Sequence, residues 1–133
     1  MNMRWYVAIF DDAGDELHAR IGLTPDFHLK YKTGTVDLEH HMNFLREIMP
    51  GESVAVYARL VARSPKRLHY LMFLVNETKG ELAGIFECMN GFLDLTVRRT
   101  APFPPEILAQ IDAWIEKDTK LDWPPPVSGS MRA

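Results

Sequence analysis

The sequence predicts an α+β domain in which a long helix is wrapped by a curved antiparallel sheet, followed by a C-terminal helix. Three observations carry that expectation. Residues 1–24 contain no proline and repeat apolar side chains at helical spacing. After Gly34 the apolar period falls to two, through four runs separated by turn-forming residues. After Pro102, Pro104 and Pro105 the helical period returns. Such a sheet has one face to bury, and the first helix is the natural object to bury it against. A cone-shaped α+β barrel fits the same order of elements but usually places more helix before its sheet, which favours the wrapped helix.

In the first helix Trp5, Ala8, Ile9, Asp12, Leu17 and Ile21 fall roughly on one stripe, and Gly22 is placed to end it. Gly14 weakens the helix locally. Thr24-Pro25 starts a short helix through Phe27–Tyr31, closed by Lys32, Thr33 and Gly34. In the first strand Val36, Leu38, Met42 and Phe44 alternate with Asp37, Glu39, His41 and Asn43. Pro50-Gly51-Glu52 turns the chain into a second strand, where Val54, Val56, Ala58, Leu60 and Ala62 face one way and Tyr57, Arg59 and Arg63 the other. Ser64-Pro65-Lys66 makes a hairpin into Leu68–Val75, and residues 76–80 make another into a strand from Glu81 to about Leu95. Gly84 and Gly91 within that strand predict bulges or a strong bend. Ile107, Leu108, Ile111 and Ile115 form the stripe of the last helix, with Trp114 beside it. The domain is expected over residues 1–118, with a Pro-rich tail at 119–133 that is ordered only by docking.

A chain of 133 residues, 47% apolar and 25% charged, fits one globular domain with its own core. The formal net charge of −3 argues against bulk nucleic acid as the main partner. A single cysteine, Cys88, rules out an intrachain disulfide, and its apolar neighbours Phe86, Met89 and Phe92 predict a buried thiol. The apolar start is too short for a signal peptide, and no run reaches the roughly 20 residues of a membrane span. A cytoplasmic protein is expected.

Three blocks of sequence resemble one family. The strand TVDLEHHMNFLRE, residues 35–47, carries Glu39, His41, Phe44, Leu45, Arg46 and Glu47 in a Glu-x-His-x-x-Tyr/Phe-Leu-Arg-Glu pattern. Lys66-Arg67-Leu68-His69 opens the next hairpin strand. Arg98-Arg99-Thr100-Ala101 leads into Pro102-Phe103-Pro104-Pro105-Glu106. In this order they resemble the hotdog-fold thioesterases related to 4-hydroxybenzoyl-CoA thioesterase, and within them the betainyl-CoA thioesterases of carnitine catabolism. The resemblance covers the chain to about Trp114. It implies a hotdog fold and hydrolysis of a short-chain acyl-CoA, betainyl-CoA among the candidates. It also implies no metal or organic cofactor, and a homodimer or dimer of dimers. A non-catalytic hotdog protein that binds CoA derivatives, or serves as a partner subunit, is the rival expectation. In the family an Asp-x-Asn-Gly-His-Met-Asn segment and a strand precede the central helix. Met1-Asn2 aligns with its last two residues, so the family's aspartate falls outside this sequence; a late-called or truncated start is the first expected reason, and lineage-specific loss of catalysis the second.

Thioester hydrolysis needs a carboxylate to activate water or to attack, and donors for the developing oxyanion. Asn2, at the start of the first helix, is a candidate for the carbonyl oxygen, or simply a helix cap. Glu39 and His41 share one strand face, as base and orienter or as part of a subunit interface; that face points away from the core helix. His40, on the apolar face, reads as a core histidine. Arg59, Arg63, Lys66, Arg67 and His69 gather at one hairpin, as a phosphate site or a solvated tip; the resemblance favours phosphate for Lys66 and Arg67. Trp5 and Tyr6 could meet a cationic acyl group through their ring faces. Trp5 fits the core stripe, so Tyr6 is the better site candidate. Glu87, polar in an apolar strand, either pairs with a basic group or lies in the active cleft.

Overall fold

The computed structural model describes residues 2–131, and Met3–Arg20 form its first helix, α1. Met1 at the expected helix start, and Arg132 and Ala133 at the end of the expected tail, lie outside the described residues. The face that α1 buries is carried by Tyr6, Phe10, Leu17 and Ile21 rather than by Trp5. Tyr6 is 5% exposed and Trp5 55%, which corrects the expected stripe. Each residue turns an α-helix by about 100°, so a stripe anchored one residue early points Trp5, Ala8 and Asp12 into solvent.

Gly22, at φ +98°, ends α1 as expected. Its N–H donates to the Ala19 carbonyl and that of Leu23 to the His18 carbonyl, the bond pair of a glycine-closed helix. A Cβ at Gly22 would stand 2.9 Å from Ile107 Cδ1. Gly22→Ala is therefore expected to lose at least about 1–2 kcal/mol from backbone strain, read as a lower urea midpoint at unchanged slope. Pro25–Tyr31 form α2. Thr24 caps it, Oγ1 accepting from the Phe27 N–H at 3.1 Å, and Lys32 closes it in the left-handed region.

The sheet contains β1 (Thr33–Phe44), β2 (Val54–Arg63), β3 (Arg67–Asn76) and β4 (Glu81–Asp94), all antiparallel in the order β1-β4-β3-β2. A short β5, Arg99–Thr100, pairs with the end of β4. Helix α3, Pro105–Thr119, lies against β2. The inner sheet face presents Leu68, Tyr70, Met72 and Leu74 from β3 and Phe86 and Cys88 from β4 to Tyr6, Phe10 and Leu17 of α1. Phe10 stacks on Phe86 with centroids 5.1 Å apart. The wrapped-helix α+β architecture is the one expected. No helix among the described residues is long and apolar enough to cross a membrane.

After α3 the chain crosses the outer face of its own sheet. Trp123 packs edge-on to Phe73 at 5.6 Å, the Ser128 N–H donates to Glu87 Oε1 at 2.8 Å, and Met131 is buried. Arg59 lies over the Trp123 ring at 4.2 Å and donates to its carbonyl. Asp118 Oδ2 accepts the Leu60 N–H at 3.0 Å, filling one position on β2. The docking surface of the tail is thus the sheet of the same chain.

Candidate active site

Two irregularities in β1 and β4 shape the site. Asp37 pairs with Asn90 and Glu39 with Met89, so Leu38 is an extra residue bulged from β1. It packs where a Cβ on Gly91 would meet it at 3.2 Å, which is why that strand position carries glycine. The bulge changes the phase of β1. Thr35 and Asp37 before it, and His40 and Met42 after it, all lie on the α1 side, while Val36, Leu38, Glu39 and His41 face outward. Strict alternation had placed Val36 and Leu38 inward. The second irregularity is at Ala83, where β4 slips by one residue against β3 beside Gly84.

The phase change brings Asp37 and His40 together. His40 Nε2–H donates to Asp37 Oδ2 at 2.9 Å, and the ring meets Phe86 edge-on at 4.6 Å. Both side chains remain partly open to solvent, 42% for His40 and 36% for Asp37. Asp37 Oδ1 accepts from Asn90 Nδ2 at 2.7 Å and from the Cys88 thiol at 3.4 Å. Burial alone would push the Asp37 carboxyl up, but donors from Asn90, His40 and Cys88 hold it below the usual range. Burial pushes the Cys88 thiol and Tyr70 phenol far up, so both stay neutral beneath it. On the far side of Asn90 stands His18, its Nε2 3.0 Å from Asn90 Oδ1.

All of these groups except Cys88 line a cleft of about 220 Å³ between α1 and β1. Asp11 and Asp15 edge it on α1, Phe10 and Phe86 form its apolar wall, and no lysine or arginine among the described residues lines it. Asp37, His40 and Cys88 bring ligand-type atoms within 4.8 Å of one another. The two oxygens of Asp37 already take three donors, one of them the neutral thiol. The set therefore fits a closed hydrogen-bond cluster better than a metal site.

Asn2, Trp5 and Tyr6 lie at the start of α1, between roughly 6 and 12 Å along the helix axis from Phe10 at 1.5 Å rise per residue. Asn2 is the N-cap, without a side-chain capping bond, and its carbonyl accepts the Trp5 N–H at 3.1 Å. Asn2 and Trp5 edge a groove of about 400 Å³ with Ile48, Met49 and Pro50. Tyr6 is core, edge-on to Phe44 at 5.0 Å, its hydroxyl donating to the Arg46 carbonyl; only its margin reaches a neighbouring groove with Met3 and Leu45. Glu39 and His41 face outward and exposed, with His41 opposite Glu87 and Glu39 opposite Met89.

The basic hairpin does not hold together. His69 is 5% exposed and its Nε2 hydrogen-bonds Glu87 Oε2 at 2.6 Å, so it is an interior partner of a carboxylate rather than a surface donor. Arg59 is taken by Trp123, and Arg63 by both oxygens of Asp112 at 2.8 Å. Lys66 and Arg67 stay exposed at the β2–β3 turn. Sequence reasoning missed Asp37, Asn90 and His18 as a group; the only hint was Gly91, which makes room for the bulged Leu38.

Residues 1–111 match the thioesterase-like superfamily. The chain is 33% identical over 120 residues to a betainyl-CoA thioesterase of Pseudomonas aeruginosa, covering 90% of this chain and 76% of that protein. It is 26% identical to an L-carnitine dehydrogenase/betainyl-CoA thioesterase of Rhizobium meliloti, where the match covers 90% of this chain but 24% of the longer relative. Among solved structures, a Staphylococcus aureus protein in complex with CoA superposes with a TM-score of 0.87 at 27% identity, over 93% of this chain and 78% of the other.

Proposed function

Because this chain belongs to the thioesterase-like superfamily, with the hotdog fold and the acyl-CoA thioesterase activity of that family, we propose that it hydrolyses a short cationic acyl-CoA in the cleft between α1 and β1. The observation that carries this reading is the Asp37–His40 pair, 2.9 Å apart and open to the cleft. With Nε2–H held by Asp37, the Nδ1 lone pair of His40 is free to take a proton from water. The water oxygen bonds to the thioester carbon and its proton passes to His40. Collapse of the tetrahedral intermediate breaks the C–S bond, and the CoA sulfur takes the proton back. Asp37 stabilises the imidazolium between those two events, as a carboxylate does for histidine in hydrolytic triads.

The acyl end is read from charge. Asp11 and Asp15 lie one helical turn apart beside the aromatic wall, a setting that attracts a quaternary ammonium and repels a carboxylate. The name of the Pseudomonas aeruginosa relative specifies betainyl-CoA, an acyl group of this charge. At the CoA end Lys66 and Arg67 are the exposed cations for phosphate. Replacing both by alanine is expected to raise KM roughly 3–10-fold with kcat unchanged, an effect that fades as salt is added. Asn2, Trp5, Tyr6, Glu39 and His41 are assigned no catalytic step; the free amides of the α1 start remain a place for a carbonyl oxygen. The β1 edge, with Leu38 and Phe44 exposed, supports pairing with a second copy into a homodimer. A free buried Cys88 suits a reducing, cytoplasmic setting.

The test is thiol release from acetyl-, butyryl- and betainyl-CoA. Highest kcat/KM on the cationic ester supports the proposal. Equal rates on all three would remove the role of Asp11 and Asp15, and stabilisation by CoA esters without turnover would replace catalysis with binding.

A further inference from the structure

His18 is 8% exposed and has no part in the reaction described so far. Its Nδ1 lies 2.7 Å from the Gly14 carbonyl oxygen and its Nε2 3.0 Å from Asn90 Oδ1. Both neighbours are acceptors. A neutral imidazole has one N–H, so one of these contacts would set a lone pair against a lone pair. An imidazolium satisfies both. The other solution turns the Asn90 amide over, so that its NH2 group faces His18. Its carbonyl would then oppose Asp37 Oδ1, 2.7 Å from the present Nδ2, and that contact needs a proton on Asp37. Asp37 already accepts from His40 and Cys88, donors that favour its ionised form. The arrangement in which every donor meets an acceptor is imidazolium His18 with carboxylate Asp37.

We propose that His18 is a positioning residue for hydrolysis: as a buried imidazolium it fixes the Asn90 amide with its NH2 group toward Asp37, and so keeps Asp37 an acceptor for His40. The inference rests on reading Asp37–His40 as the catalytic pair. The connection runs from α1 through β4 to β1, and no proton needs to travel along it. Its purpose is the orientation of one carboxylate, which in turn fixes which nitrogen of His40 is free.

The other titratable groups around His18 are compatible with its charge. Tyr70 on β3 stands edge-on at 6.1 Å, and it and Cys88 on β4 stay neutral. His28 on α2 is held below the usual imidazole range, by burial first and by the nearby His18 second, so no second cation competes. Asp11 and Asp15 at the cleft edge and Asp37 on β1 supply negative charge on the open side.

The experiment compares His18→Gln, His18→Phe, Asn90→Leu and His40→Gln, with kcat and KM measured against pH on the best acyl-CoA. Gln retains an N–H for Asn90, whereas Phe retains bulk without a donor. His18→Phe and Asn90→Leu are expected to lose roughly tenfold or more in kcat with KM within about twofold, as outer partners of a reacting group do. His18→Gln should stay within about threefold of the parent, while the low-pH limb of its kcat profile moves upward because a positive charge near His40 is gone. The nitrogen NMR spectrum of the parent should show both His18 nitrogens protonated at neutral pH. A neutral His18 in that spectrum, or a folded His18→Phe with parental kcat and limb, overturns the proposal. Equal kcat loss in the Gln and Phe variants also overturns it, since packing alone would explain that. If His18→Phe does not fold, the Gln profile and the spectrum decide. Full activity in His40→Gln would sink the catalytic pair itself, whereas an inactive His40→Gln beside an unaffected His18→Phe sinks only the role of His18.

Discussion

Replacing His40 by glutamine is expected to lower kcat for acyl-CoA hydrolysis by roughly 10²–10⁴-fold, the usual span for a positioned general base. Glutamine can still donate to Asp37 but has no basic nitrogen to offer water. The fold should be little affected, because His40 is 42% exposed and its one close ring contact is the edge of Phe86. That separation of activity from stability is the informative part, and thermal unfolding of the variant alongside stopped-time thiol release reads both. Asp37→Asn should give a comparable loss, since an amide can present N–H to His40 and turn the ring to the wrong tautomer. The Asp37 carboxyl sits below the usual range, because its donors outweigh the effect of burial. It therefore stays ionised through the mildly acidic range, and the rise of kcat with pH follows loss of a proton from His40, not from Asp37. A low-pH limb that survives unchanged in His40→Gln would assign the base elsewhere.

The second large effect is on stability. Glu87→Ala is expected to cost about 1–3 kcal/mol or more, the range for removing an acceptor and leaving buried donors unsatisfied. Glu87 is 1% exposed, His69 is 5%, and the pair is 2.6 Å apart under the C-terminal tail. Alanine leaves a buried imidazole without its acceptor and the Ser128 N–H without its anchor. Chemical denaturation measures the loss, and proteolysis should cut between residues 120 and 128 in the variant sooner than in the parent. Replacing both Glu87 and His69 by leucine should recover most of the stability but not the anchoring of the tail. The pH dependence has a defined sign. Burial alone would raise the Glu87 carboxyl, but the Ser128 amide and His69 bring it below the usual range. A carboxylate depressed in this way contributes its full stability above the unfolded value of about 4.3. That contribution is lost as pH falls through the lower folded value. Acid should release the tail over that interval in the parent, and Glu87→Ala should show no such step.

The elements themselves were legible because their signals are local. Helical spacing in α1 and α3, Gly22 as a stop, Thr24-Pro25 as a start, and each hairpin turn depend on neighbours in sequence. The phase of α1 was not legible, because a tryptophan is the largest apolar residue in the segment and draws the stripe to itself. The sheet meets Tyr6 and Phe10 instead of Trp5, together with the expected Leu17. The Lys-Arg-Leu-His block looked like one basic cluster, but His69, on the same strand face as Arg67, is buried there against Glu87, while Lys66 and Arg67 stay in solvent at the turn. The question over Glu87 resolved toward a basic partner, which the sequence could not name because His69 lies eighteen residues away on another strand. Glu39 and His41 drew attention through their motif, and the structure puts them on the face away from α1. The cleft beneath the helix is assembled from α1, β1 and β4, and no single segment carries its pattern.

The extra residue at Leu38 also governs how the site is spelled. Here the pair reads Asp-x-x-His, an odd spacing that a regular strand would send to opposite faces. A related chain one residue shorter at this point would show the same two side chains as Asp-x-His, with both still under the helix. An ungapped alignment of the two would match Asp37 or His40, never both. Comparisons among relatives must therefore open a gap at position 38 before asking which of them share the pair.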